Sequence, residues 1–409
     1  MKKIFLTPLI LAVIIMSLVG CTEPYALQTS NFEDAIVIEA TITNQFKKQE
    51  IKLSRSYHLE ANEPVFESGA TVYIKDDLGN RYDFQENNGK YISTSEFQAI
   101  PNRNYQLHIT TNNGKSYSSS NERLTTVNEI QNLTTSVKTI EGVHGVEIKV
   151  NSFDPTNTSK YYRYEYDETY KIIAPQWREL EAFANYFPPG SNPPGEILLQ
   201  ARTAEARICF STEKSNDIIL TNTNNLQEDR VNYPIRFISS SNHILRDRYS
   251  ILVKQYVQNL EAYTFYEILK KTYDSGSILS QNQPGYFLGN VKSENNSNEK
   301  VIGYFDVSSY SEKRIFFNFN DIFPREELPK YPYNCPDVTA ENEKEFVFTF
   351  CFNIRDQNCK GDLILKWIYN RNYIYGGNYI SPLEYILYNM ECGDCRSFSN
   401  NIRPSFWID

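Results

Sequence analysis

Ala70-Thr71-Val72-Tyr73-Ile74-Lys75 runs into Asp76-Asp77-Leu78-Gly79-Asn80 and leaves as Arg81-Tyr82-Asp83-Phe84. Val72 and Ile74 fall on one face of the first run, the period of two that belongs to a half-buried strand. Gly79 and Asn80 accept the positive φ that a hairpin turn needs. The pattern recurs downstream. Asn87-Asn88-Gly89 forms a second turn, and Tyr105-Gln106-Leu107-His108-Ile109 meets Asn112-Asn113-Gly114 and Ser116-Tyr117 as a third. Ala35-Ile36-Val37-Ile38-Glu39-Ala40 and Glu50-Ile51-Lys52-Leu53-Ser54 supply an opening pair. Hairpin after hairpin with this spacing predicts a β-sandwich of about seven strands over 32–126.

A second β unit is expected over 127–322. Gly145-Val146-Glu147-Ile148-Lys149-Val150 alternates, and Asp154-Pro155 turns the chain. Tyr162, Tyr164 and Tyr166 then share one strand face, with Tyr161, Arg163 and Glu165 on the other, like the central strand of a fibronectin-III-like sandwich. Pro188-Pro189-Gly190 through Pro193-Pro194-Gly195 interrupts regular structure and reads as a surface insertion. Strands resume at Ile235-Arg236-Phe237-Ile238 and over 249–256. Leu260 to Tyr273 is the best helix, with an apolar face of Tyr263, Tyr266, Ile268 and Leu269 and with Lys270-Lys271 near the end where the dipole favours cations. Ser275-Gly276 is its expected stop. Val301 to Val307 and Arg314 to Phe319 return to the sheet.

The fold class expected is therefore mainly β. It comprises two β-sandwich domains of immunoglobulin or fibronectin-III type, a short helical insertion and a disulfide-rich C-terminal segment, 323–409. Of the seven cysteines, five lie after residue 330. Setting Cys21 aside leaves Cys209, Cys335, Cys351, Cys359, Cys392 and Cys395. An even set in an exported chain favours disulfides, whose pairing the spacing does not choose.

Cys21 is set aside because of what precedes it. Lys2-Lys3 is followed by an apolar run from Ile4 to Val19, closed by Leu18-Val19-Gly20-Cys21. A charged start, an apolar core and a small residue at the cut describe a secretory leader, 1–20, and about sixteen apolar residues is short for a span of about twenty. The ending resembles a lipoprotein lipobox, in which the cysteine takes the acyl chains. Residues 21–31 then read as a tether.

Composition narrows the partners. The 409-residue chain carries a net charge of −9, and the leader would take two lysines with it. That balance argues against nucleic acid, whose phosphates need Lys/Arg neutralisation. It also argues against polybasic adhesion to anionic lipid, so membrane attachment would rest on the acyl chains. Thirty Tyr and 24 Phe suit pleated, half-buried surfaces.

No catalytic motif emerges. The four histidines, His58, His108, His144 and His243, are dispersed, and neither a phosphate-binding loop nor a Gly-x-Ser-x-Gly elbow is present. Cys392-Gly393-Asp394-Cys395 is the one chemically suggestive motif. A redox reading needs a helix after it, but Arg396-Ser397-Phe398-Ser399 is loop-like. A zinc reading needs two more ligands, and Cys351 and Cys359 are spaced too widely. Structural disulfides fit best. No catalytic residue, cofactor or metal site is expected, and the tyrosine cluster Tyr369, Tyr373, Tyr375 and Tyr379 around Gly376-Gly377 is a candidate partner surface or tail packing.

Several segments together resemble the Bacteroidota lipoproteins that carry domain of unknown function 4249. They are the lipobox, Phe32 to Ala40, Gln49 to Arg55, Gly303-Tyr304-Phe305, the Cys392-to-Cys395 motif, and Arg403-Pro404-Ser405-Phe406-Trp407. The resemblance implies an outer-membrane lipoprotein found beside TonB-dependent receptors, and it supplies no functional residues. The expected function is a surface-facing, non-enzymatic accessory of such a transporter that captures cargo or caps the barrel. The alternatives are an adhesive or structural module binding glycan or protein and, third, a surface hydrolase. Converging carboxylates in one cleft would raise the last.

Overall fold

The computed structural model describes residues 35–56, 65–191, 194–274, 289–335, 347–349, 361–378 and 384–409. Cys21, the tether, Ser275-Gly276, Cys351, Cys359 and Tyr379 lie outside them, as do the leader and His58.

The opening strands are β1 (Ile36–Thr43), β2 (Glu50–Arg55), β3 (Val65–Phe66), β4 (Thr71–Asp76), β5 (Arg81–Asn87), β6 (Lys90–Ser93), β7 (Asn104–Thr110), β8 (Ser116–Ser119) and β9 (Glu122–Arg123). Alternation decides which side chains go inside. Val72 and Ile74 are buried with Ile36, Ile38, Ile51, Leu53 and Leu107 in one core. Each such fully buried aliphatic side chain contributes about 1.5–3 kcal/mol. The β4–β5 turn is held by Asp76, whose carboxylate accepts from the Leu78 and Asn80 amides at 3.1 and 2.8 Å and from Arg103 Nη1 at 2.9 Å.

The next strands are β10 (Ile130–Ile140), β11 (Val143–Asp154), β12 (Tyr161–Ile173), β13 (Leu180–Tyr186), β14 (Gly195–Ala201), β15 (Ile208–Lys214), β16 (Ile219–Asn222), β17 (Asp229–Ser239) and β18 (Arg248–Gln258). They lead into helix α1 (Leu260–Asp274), then β19 (Val291–Ser293) and β20 (Val301–Asn318). On β12 the three tyrosines go inward, to a core shared with Val146, Ile148, Tyr249 and Ile251. Two of the hydroxyls are satisfied there: Tyr162 donates to Asp229 at 2.8 Å, and Tyr164 donates to Gln255 at 3.0 Å. The opposite face of β12 is covered as well. Arg163 is buried beneath α1, its guanidinium 4.1 Å from the Tyr256 ring centre and 4.7 Å from that of Tyr266.

β20 joins the two units. Its first half, Val301 to Ser308, pairs in parallel with β1, and its second, Ser309 to Asn318, pairs antiparallel with β18. One hydrogen-bonded ladder therefore runs β15-β12-β18-β20-β1-β2-β6-β5-β4-β7-β8-β19. β10, β11 and β17 form a separate three-stranded sheet over the second core.

The C-terminal segment adds β21 (Val347–Thr349), helix α2 (Gly361–Tyr369), β22 (Tyr373–Asn378) and β23 (Glu384–Asn389), with sheet order β21-β23-β22. Helix α2 buries Ile364, Leu365 and Ile368 against Tyr375, Tyr385 and Leu387 on one side and Ala182, Ala184 and Ile197 of the β13–β14 hairpin on the other. Pro188 to Gly190 and Pro194 thus lie at the tip of a hairpin that reaches the C-terminal sheet. Among the described residues two disulfides close the structure: Cys335–Cys392 inside the segment, and Cys209–Cys395 from the segment to β15. No helix among the described residues is long and apolar enough to cross a membrane.

Candidate functional site

β13 and β22 are both edge strands. β13 pairs only with β14, and β22 only with β23, among the described residues. Helix α2 packs against both, so the two edges stand side by side without a ladder between them. Arg178 spans them, its Nε donating to the Gly376 carbonyl at 3.0 Å. The gap that is left is a cleft of about 280 Å³. Glu181 to Ala184 form one wall and Tyr373 to Tyr375 the other, with Arg202, Tyr369, Arg371 and Asp394 between.

The charges in this cleft are largely spoken for. Arg202, almost fully buried, places Nη1 3.3 Å from Glu181 and 3.5 Å from Asp394, while Nε donates to the Arg178 carbonyl at 3.0 Å. Burial pushes its pKa down, and the two carboxylates oppose that shift. Asp394 also takes a bidentate pair from Arg396, at 2.9 and 2.6 Å. Burial pushes the Asp394 pKa up, but the Arg396 hydrogen bonds outweigh it and the net shift is downward. Glu181 and Asp394 do converge, as a hydrolytic pair would. Both, however, pair with one arginine, and Asp394 is held below its ordinary value where a general acid needs a carboxyl held above it.

Arg371 is different. It has no ion-pair partner among the described residues, and its backbone is left-handed with φ 55°. The reason is the end of α2. Asn372 N–H donates to the Trp367 carbonyl at 2.9 Å and Arg371 N–H to Ile368 at 3.1 Å, the paired bonds of a Schellman cap with Arg371 at its left-handed position. Glycine or asparagine is the usual occupant. A side chain there costs about 1–2 kcal/mol, against about 0.3–1 kcal/mol returned by a cation at a helix C-terminus.

The tyrosine cluster divides. Tyr375 is buried and donates to Asn378 at 2.5 Å, Tyr373 packs on Trp367 with ring centres 4.9 Å apart, and Tyr369 is 68% exposed, edge-on to Tyr186 at 5.7 Å. All three line the cleft. Of the cysteines, Cys209, Cys335, Cys392 and Cys395 are paired as given above. The two cysteines of the Cys-x-x-Cys motif bond to different partners, and Asp394 stands between them as part of the cleft floor. Among the described residues no three His, Cys, Asp or Glu side chains gather as a metal site. His108 lies in β7, stacked on Tyr73 at 4.9 Å. Sequence reasoning missed Glu181, Arg202 and Arg371. The signal available for the last was an arginine between two asparagines, Asn370 and Asn372, immediately after an apolar helix.

Fold and cleft define a β-rich, disulfide-closed protein with an arginine- and tyrosine-lined recess. Residues 22–314 match the family described as Domain of unknown function (DUF4249), and the chain belongs to that family. The matched span holds the β13–β14 wall of the cleft and stops before the α2–β22 wall. No curated protein matches the chain.

Proposed function

We propose that this is an outer-membrane lipoprotein of the Bacteroidota type, acylated at Cys21 and displayed at the cell surface. There it serves a TonB-dependent transporter as a non-enzymatic accessory, capturing cargo in the cleft or capping the barrel. The observation that carries the reading is the pair of disulfides on either side of Asp394, which ties the cleft floor to β15 and to Cys335. Such bonds persist in an oxidising compartment, in keeping with an exported chain and the leader before Cys21. Pairing of both cleft carboxylates with Arg202 supports binding over proton transfer. The test is affinity purification of the protein from detergent-solubilised membranes. Recovery of a TonB-dependent barrel is the expected result; recovery of the lipoprotein alone overturns the transporter role.

A further inference from the structure

We infer that the cleft between β13 and β22 captures the C-terminal end of a short peptide, with its free carboxylate on Arg371. This rests on reading the cleft as a binding site, but not on the anchor or the transporter.

Three independent observations meet here. The first is backbone. Glu181 to Ala184 and Tyr373 to Tyr375 present edge strands to the same recess, and an unpaired strand edge offers main-chain donors and acceptors to an extended peptide. The second is charge. Glu181, Asp394, Arg202 and Arg396 pair with one another, so among the described residues that line the recess Arg371 alone carries a charge without an ion-pair partner. One guanidinium fork matches one carboxylate. In a chain of net charge −9 that local surplus selects an anion the rest of the surface would repel. The third is strain. Arg371 holds a left-handed backbone position that a glycine or asparagine would occupy at less cost, and backbone strain of this kind clusters at binding sites.

Size selects the end of a peptide over its middle. A recess of about 280 Å³ lies at the lower edge of ligand pockets, about 300–1,000 Å³, and admits terminal residues better than a continuing strand. The Tyr369, Tyr373 and Phe183 rings supply an apolar wall for the last side chains, with little rotamer entropy to lose on binding.

The experiment uses the purified full chain in detergent and two pools of randomised tripeptides, one with free C-termini and one amidated, with retention read by mass spectrometry. The wild type is expected to retain the free-acid pool at least tenfold over the amide pool. Arg371→Gly should lose that preference while its urea midpoint stays level or rises, because glycine suits the cap. Arg371→Lys should keep part of it. Equal retention of both pools, retention of neither, unchanged retention by Arg371→Gly, or displacement of peptide by glucuronic acid alone would each overturn the inference. The transporter proposal is tested separately by the affinity purification, so either can fail while the other stands.

Discussion

Gly303 lies so close to Ile38 that a Cβ on it would sit 2.0 Å from the Ile38 carbonyl oxygen. Its φ is 128°, which an L side chain rarely adopts. The contact falls within the parallel β1–β20 pairing that carries the ladder from one unit to the other. Gly303→Ala is therefore expected to destabilise the protein by about 3–4 kcal/mol, strain and steric overlap acting together. Urea unfolding monitored by tyrosine and tryptophan fluorescence measures it; a loss under about 1 kcal/mol would mean that β1 and β20 yield at this point.

The Cys209–Cys395 bond closes a loop of sequence separation 186, and Cys335–Cys392 one of 57. Chain entropy assigns them at most about 5 and about 4 kcal/mol. Because Cys395 is attached to β15, Cys209→Ala with Cys395→Ala should release the C-terminal segment first. Hydrogen exchange is expected to rise in α2, β22 and β23 while β4 and β7 keep their protection. Equal loss of protection everywhere would show that the segment does not open on its own.

Asp154 is 4% exposed, yet its carboxylate accepts from the Thr156, Thr158 and Ser159 amides at 2.8, 3.0 and 2.8 Å and from the Thr156 hydroxyl at 2.6 Å. Burial alone would raise its pKa, but these bonds outweigh it and hold the pKa well below the usual carboxylate range. A depressed carboxylate stabilises the fold above the unfolded value of about 3.9, and that contribution is lost as pH falls through the folded value. Asp154→Ala should cost about 2–3 kcal/mol at pH 7 and flatten the acid limb of the stability curve below about pH 4. Thermal melts of both proteins across pH 2–7 read the difference, and parallel acid limbs would refute it.

Arg163 and Asp306 are both buried at the junction beneath α1, where Asp306 accepts from Gln258 at 3.1 Å and from Ser308 at 2.6 Å. Burial pushes the Asp306 pKa up, and the Arg163 charge acts against that shift. Arg163→Ala removes the charge and the filling between Tyr256 and Tyr266, and should cost about 3–5 kcal/mol. Arg163→Ala combined with Asp306→Asn should recover part of it, since no buried charge is then left unmatched. A double mutant whose loss equals the sum of the single losses would mean that the two side chains do not interact.

Local pattern carried much of this fold. Val72 and Ile74, Tyr162 to Tyr166 and the Leu260 helix follow from periodicities within a few residues, and turns such as Asp76 to Asn80 are closed by their own side chains. β20 was legible as two strand runs but not as one strand changing partners, because its neighbours β1 and β18 lie far away along the chain. The resemblance pointed to Gly303 without its reason; the close approach of Ile38 supplies it. Closing aromatics were similar: Trp407 packs edge-on to Phe210 at 4.9 Å, and Phe406 lies under Arg314 at 3.6 Å. The cleft was the least legible part. Its walls come from residues near 181, 202, 371 and 394, and the tyrosine cluster marked only one of them. No sequence pattern shows that Arg202 spends its charge on Glu181 and Asp394 and leaves Arg371 to a ligand.

The proposed display of this cleft at the outer face of the cell is tested most directly by protease treatment of intact cells, followed by immunoblotting of the full chain. Surface display predicts that the protein is digested while a periplasmic marker survives, and that Cys21→Ser releases it from the membrane fraction. Protection of the full chain in intact cells, with digestion only after the outer membrane is opened, would place the cleft on the periplasmic side and contradict the capture of external cargo.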